Sequence, residues 1–230
     1  MSREDAAADA ATDADEATRP RRVGVFGGTF DPVHWGHLWL AEAAREACRL
    51  DEVRLVPAAS PPHKQGAVIT QPRHRLQMLE LATAGLPMFT IDRREIGREG
   101  PSFTVDTLGE LADELSHELN PNGSREPAAE LFFLMGADSL ADLPTWREPG
   151  RIAELATIVA VNRGDQSPAI PAACAHLADR IELVTMPACG LSATDLRQRA
   201  RAGRSLLFRT PRPVELYIRE HELYRGTSDG

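Results

Sequence analysis

Apolar residues along the chain alternate between two spacings. Short runs occur at residues 22–26 (RVGVF), 53–57 (VRLVP), 89–92 (FTID), 130–135 (ELFFLM), 157–161 (TIVAV) and 181–185 (IELVT). Runs of this length predict strands, and the continuous apolar ones suit strands covered on both faces. Between them the apolar positions recur at three- and four-residue steps. Leu38, Leu40, Ala41, Ala44 and Cys48 mark a helix over 36–48; Leu76, Leu79 and Leu81 mark one over 73–84; Leu108, Leu111, Leu115 and Leu119 mark one over 104–119. A late helix opens near residues 191–197, and Val214, Leu216 and Ile218 belong to an amphipathic closing helix. Pro-rich residues 58–66 (AASPPHKQG) and turn-rich residues 120–127 (NPNGSREP) read as surface loops.

Strands and helices in alternation predict an α/β fold: a Rossmann-like, doubly wound parallel sheet, a single domain with a small C-terminal helical portion. With 230 residues, 42% of them hydrophobic, the chain can bury a substantial core. Residues 21–226 are assigned to that domain. Residues 1–20 are Ala-, Asp- and Glu-rich, lack large apolar side chains, and are expected to form a disordered acidic tail.

Charge narrows the function classes. Residues 1–18 contribute −5 to the formal −8, leaving −3 for the rest, a balance that does not call for a polynucleotide partner. No apolar run is long enough to span a bilayer and no secretory signal is visible, so a cytoplasmic protein with no membrane partner is expected. Cys48, Cys174 and Cys189 are odd in number and lack C-x-x-C spacing, which disfavours disulfides and zinc. A homo-oligomer is left open.

The chemistry is concentrated after the first predicted strand, in residues 24–37 (GVFGGTFDPVHWGH). The spacing fits neither G-x-G-x-x-G nor the P-loop. Gly27 and Gly28 still let the backbone approach a ligand, and the following helix turns unpaired N–H groups toward it, so the loop suits an anion. His34 and His37, at i and i+3, share one face with Gly36 between them, where a ligand could press against the backbone. A zinc pair would need further ligands, and only Asp31 is at hand. Two imidazoles donating to phosphate oxygens fit the glycine loop better than a decorated helix start.

Residues 27–37 (GGTFDPVHWGH) resemble the phosphate loop of the HxGH nucleotidyltransferase superfamily and, within it, of the bacterial nicotinate-nucleotide adenylyltransferases. Four further stretches agree in order. Residues 61–64 (PPHK) hold Lys64, the sole lysine, which in that family faces phosphate. Residues 102–108 (SFTVDTL) resemble the segment whose backbone N–H groups receive the nicotinate carboxylate, a role passed to Phe103 and Thr104. Gly136 and Asp138 resemble the ribose-side pair and Trp146 the residue stacking on pyridine, with Arg147 after it; a plain core tryptophan is an equal reading. Residues 191–197 (LSATDLR) resemble the triphosphate clamp, with Ser192, Thr194 and Arg197 as its donors, Ala193 where a serine is usual, and Ser192 with Asp195 also fitting a capping box. Asn162 and Arg163 partly match the adenine-side loop.

The resemblance implies adenylyl transfer from ATP to nicotinate mononucleotide, giving nicotinate adenine dinucleotide and pyrophosphate in NAD biosynthesis. The mononucleotide phosphate is itself the nucleophile, so alignment and charge neutralisation suffice. Gly27, Gly28, Thr29 and Phe30 would cradle phosphates, while His34, His37, Lys64, Arg197 and a Mg²⁺ ion brought by ATP neutralise charge. No resident metal site is expected. Two rivals stay open: phosphopantetheine adenylyl transfer, and a non-catalytic nucleotide-binding module. So does the choice between acid and amide mononucleotide.

Overall fold

The computed structural model describes residues 19–59, 69–98, 100–116, 129–164 and 169–225. Its centre is one six-stranded sheet: β1 (Arg21–Gly28), β2 (Glu52–Pro57), β3 (Phe89–Ile91), β4 (Ala129–Gly136), β5 (Thr157–Asn162) and β6 (Ile181–Thr185), in spatial order β3-β2-β1-β4-β5-β6. Every neighbouring pair runs parallel, with Val25 opposite both Arg54 and Phe133 in the register of the central three strands.

The predicted strands all form, with boundaries shifted by one or two residues. Around them lie α1 (Trp35–Ala47), α2 (Pro72–Thr83), α3 (Thr104–Ser116), α4 (Pro149–Leu155), α5 (Ala193–Arg201) and α6 (Arg212–Glu220). Three elements were not legible. Ala137–Thr145 and Ala172–Arg180 are 3₁₀ segments, and α4 has only seven residues. Pro144 inside the first segment and the left-handed Glu148 (φ 51°) before α4 break the 3.6-residue period that would have announced a helix. The end predicted for α3, residues 117–119, and the loop at 120–127 lie outside the described residues, as do residues 1–18. Arg19 is held by an ion pair to Asp51 at 2.6 Å, just before β1.

Both sheet faces are covered because the strands alternate two apolar sets. Phe26, Val53, Leu55, Phe132, Leu134, Val159 and Val161 face Leu40, Met78, Leu79, Leu196, Val214 and Ile218 of α1, α2, α5 and α6. Val23, Val25, Leu131, Phe133, Met135, Ile158 and Ala160 face Leu108, Leu111, Leu140 and Ile152 of α3, the first 3₁₀ segment and α4. Each fully buried leucine of this kind contributes roughly 1.5–3 kcal/mol, so the two layers together dominate the fold's stability.

The C-terminal helical portion is part of the first layer. Its lead-in is tied to the loop after β1 by Thr210 Oγ1 donating to the Val33 carbonyl at 2.7 Å and by the Trp35 N–H donating to the Arg209 carbonyl at 3.2 Å. The strand order reverses between β1 and β4. Connections leave these two strands in opposite directions, opening a crevice above their carboxyl ends, where sheets of this kind bind ligands. Among the described residues no helix is long and apolar enough to cross a membrane.

Candidate functional site

The loop between β1 and α1 carries the first part of the site. Phe30 turns the chain with a left-handed backbone (φ 48°), which an aromatic residue adopts only under constraint. The constraint is packing: its buried ring meets Phe26 edge-on at 5.5 Å and His37 at 5.2 Å. Phe30 thus serves the loop from beneath. The paired glycines differ. A Cβ on Gly28 would stand 2.8 Å from Phe30 Cζ, whereas Gly27 is exposed with nothing within 4 Å of that position.

His34 is the N-cap of α1 and His37 lies one turn in, at N3. Their rings stack at 3.7 Å. The His34 N–H donates to His37 Nδ1 at 3.2 Å, so in neutral His37 the proton sits on Nε2. His34 is 2% exposed, and its Nδ1 is buried with no hydrogen-bond partner among the described residues. Burial, reinforced by the nearby Arg163 guanidinium, lowers its pKa from 6.5 to about 4. A neutral His34 would meet a phosphate as a hydrogen-bond donor rather than through a charge of its own. At neutral pH in the ligand-free protein it is an uncharged imidazole, able to offer a hydrogen bond.

Gly36 is buried beside the pair. A Cβ there would lie 3.1 Å from the His34 ring and 3.3 Å from Cys189 Sγ, so the missing side chain makes room for an imidazole and a thiol.

Arg197 of α5 reaches across to this loop, donating to the Asp31 carbonyl at 2.8 Å and to Thr194 Oγ1 at 3.2 Å. Ser192 caps α5, its Oγ accepting from the Asp195 N–H at 3.1 Å. The capping box expected there is half formed, because the Asp195 carboxylate instead faces Arg209 at 3.9 Å. Arg163 had been assigned to the adenine side. Its guanidinium lies close to Gly136, 3.2 Å from where a Cβ would be, and to His34, which puts it over the ends of β4 and β1. Asn162 donates to the Gly164 carbonyl at 3.1 Å. Asp138 is exposed, and its carboxylate folds back over Gly136, where a Cβ would collide with it.

A second part of the site adjoins the glycine loop. A cleft of about 260 Å³ is lined by Gly27, Gly28, Thr29, Phe103, Thr104, Trp146 and Arg147, which the sequence singles out, together with Ala58, Glu95, Ser102, Phe133, Thr145 and Ile152. The start of α3 opens into it. Trp146 is half-buried, packing edge-on against Phe133 at 5.9 Å while also lining the cleft. The Arg147 guanidinium lies 4.9 Å over the Phe103 ring and 3.4 Å from Asp106.

Glu95 is the notable omission. Only 7% exposed, it accepts from Thr107 Oγ1 at 2.6 Å, and burial raises its pKa above the ordinary carboxylate value against the opposing pull of Thr107 and Arg98. It sits in a turn after β3, where no sequence period marks it.

Lys64 lies outside the described residues, so its position in the site is not described. Among the described residues no group of three or more histidines, cysteines or carboxylates is arranged to hold a metal. The Asp31 carboxylate in the loop accepts from Tyr224 OH at 2.7 Å and the Thr70 N–H at 3.2 Å. The donor set suits oxyanions, which neutral imidazoles, guanidinium groups and helix N-termini bind in common.

Residues 25–199 match the family model described as cytidylyltransferase-like. A "probable nicotinate-nucleotide adenylyltransferase" of Thermomicrobium roseum is 46% identical over 211 residues, covering 89% of this chain and 92% of its own. One of Thermus thermophilus bearing the same name is 43% identical, covering 89% and 100%. Among solved structures, a Plasmodium falciparum nicotinic acid mononucleotide adenylyltransferase complexed with NaAD superposes with a TM-score of 0.68 over 89% of this chain and 97% of that one; at 16% identity it supports the fold alone. The chain belongs to the cytidylyltransferase-like nucleotidyltransferases and, within them, to the nicotinate-nucleotide adenylyltransferase family.

Proposed function

We propose that the protein transfers the adenylyl group of ATP to nicotinate mononucleotide. A phosphate oxygen of the mononucleotide attacks the α-phosphorus of MgATP. The new P–O bond forms as the bond to the β-phosphate bridge breaks, and pyrophosphate leaves, giving nicotinate adenine dinucleotide. The metal enters as part of the MgATP substrate. The observation that carries this reading is the meeting of two unlike subsites over the ends of β1 and β4. One combines the His34–His37 stack with Arg197 and Arg163; the other is an aromatic cleft with the start of α3 at its wall. The first suits a polyphosphate and the second a flat ring with an anionic substituent.

In this reading His37 Nε2 and a neutral His34 donate to phosphate oxygens, and Arg197, Arg163 and Lys64 supply positive charge. Gly27, Gly28 and Thr29 line the phosphates, Ser192 and Thr194 offer hydroxyls to the nucleotide, and Asp138 accepts from ribose. The backbone N–H groups of Phe103 and Thr104 take the nicotinate carboxylate while Trp146 stacks on pyridine. Three free thiols, two of them buried, agree with a cytoplasmic setting.

The test is pyrophosphate release with MgATP and either nicotinate or nicotinamide mononucleotide. We expect kcat/KM to favour the acid, phosphopantetheine to be inert, and His37→Ala to lower turnover by about 10²–10³ with its fold intact. Release with phosphopantetheine alone, or with none of the three, would overturn the assignment.

A further inference from the structure

Arg75 of α2 lies beneath the loop after β1 and takes no part in the site as described above. It is 0% exposed, the largest fully buried side chain among the described residues. Its guanidinium donates to three backbone carbonyls from three segments: Nη1 to Thr29 at 2.8 Å and to Ala58 at 2.7 Å, and Nε to Thr70 at 2.9 Å. Thr29 is in the glycine loop, Ala58 follows β2, and Thr70 precedes α2. Nη2 is buried and has no acceptor among the described residues.

A buried guanidinium is costly, and where only packing is required an apolar side chain of similar volume serves as well or better. An ion pair would offset part of that cost. Among the described residues Arg75 makes none within 4 Å, since the oxygens of Asp31, the carboxylate closest in charge interaction, are held by Tyr224 OH and the Thr70 N–H. Desolvation pulls the Arg75 pKa below its ordinary value, with Asp31 and Tyr224 opposing, but a guanidinium does not give up its proton in proteins. A permanent positive charge with no ion-pair partner among the described residues therefore lies one hydrogen bond behind Thr29, a residue that lines the cleft.

We propose that Arg75 is a positioning residue for polyphosphate binding. It clamps the Thr29 carbonyl to the chain at Ala58 and Thr70, so that the N–H side of the glycine loop faces the ligand, and it supplies a fixed charge that an arriving polyanion neutralises. It touches no substrate. Asp31 offsets only part of the burial cost of this charge, and a polyanion on the loop would offset more, which ties a structural cost to ligand affinity. This inference rests on reading the β1 loop as the polyphosphate site.

The test measures inorganic tripolyphosphate binding by calorimetry in the full chain and in R75M and R75K, alongside steady-state kinetics. R75M removes both the clamp and the charge; R75K keeps the charge. We expect R75M to bind tripolyphosphate at least tenfold more weakly and to raise KM for MgATP, with KM for nicotinate mononucleotide within twofold. R75K should recover binding to within about threefold of the parent.

A merely structural arginine would lower the melting temperature of both variants without separating the two substrates. Should R75M fail to fold, R75Q against R75K gives the same contrast. A folded neutral variant that binds tripolyphosphate as the parent does, or neutral and lysine variants equally weakened, would overturn the proposal. A parent protein that binds tripolyphosphate but makes no dinucleotide would instead sink the assigned reaction, leaving the Arg75 comparison intact.

Discussion

A single imidazole illustrates how environment sets chemistry. His34 is held in the N-cap position with its ring pressed between His37 and the space left by Gly36, beside a guanidinium. Both burial and Arg163 disfavour its charged form, so its folded pKa of about 4 lies below the 6.5 of an unfolded chain. The unfolded state then binds the extra proton first as pH falls. Stability contributed by neutral His34 is complete above pH 6.5 and is lost progressively as pH drops toward 4. Urea unfolding at pH 7 and pH 4.5 should show the parent losing about 2–3 kcal/mol more than His34→Gln. Equal losses in both would mean that His34 titrates normally. An anion bound beside the ring reverses one cause of the shift, so polyphosphate binding below pH 6.5 should be accompanied by proton uptake at this residue.

At the scale of the element, the end of β1 shows why two adjacent glycines need not do the same work. Both belong to the strand, yet Gly28 abuts the Phe30 ring while Gly27 looks into open space. Phe30 cannot retreat easily, because its left-handed backbone and its contacts with Phe26 and His37 fix it from two sides. Gly28→Ala should therefore destabilise the protein by about 1–3 kcal/mol, the usual cost of overpacking. Gly27→Ala should stay within about 0.5 kcal/mol of the parent. Comparable midpoints for the two variants in denaturant melts would contradict this account.

The same element scale explains which secondary structure was readable. β4 and β5 are apolar throughout because both their faces are covered, and that continuity is visible in one dimension. α4 and the two 3₁₀ segments were not visible: with seven to nine residues and a proline or a left-handed residue at hand, they exist because the neighbouring layer holds them.

The whole molecule brings together residues far apart in the chain. Arg197 touches Asp31, Tyr224 touches the same residue, and Arg75 gathers Thr29, Ala58 and Thr70. A ligand at this junction engages segments from both halves of the sheet, and it does so only in the native state. MgATP at a hundred times its Kd should therefore add about 2.7 kcal/mol of stability, raising the Tm by roughly 5–10 °C in a chain of this size. Calorimetric scans with no shift at saturating MgATP would show that the junction does not hold the nucleotide.

Local sequence sufficed for the order of the strands and of the five longer helices, for the histidine pair, and for the glycine loop that introduces it. Hydrophobic periodicity and backbone freedom are properties of neighbours in the chain, so they can be read from it directly. The neutrality of His34, the carboxylate of Glu95 in the cleft and the clamp made by Arg75 were settled only on folding. Charge state and hydrogen-bond partnership depend on the distance to water and to groups remote in sequence, and those distances exist only once the sheet has closed its two layers around them.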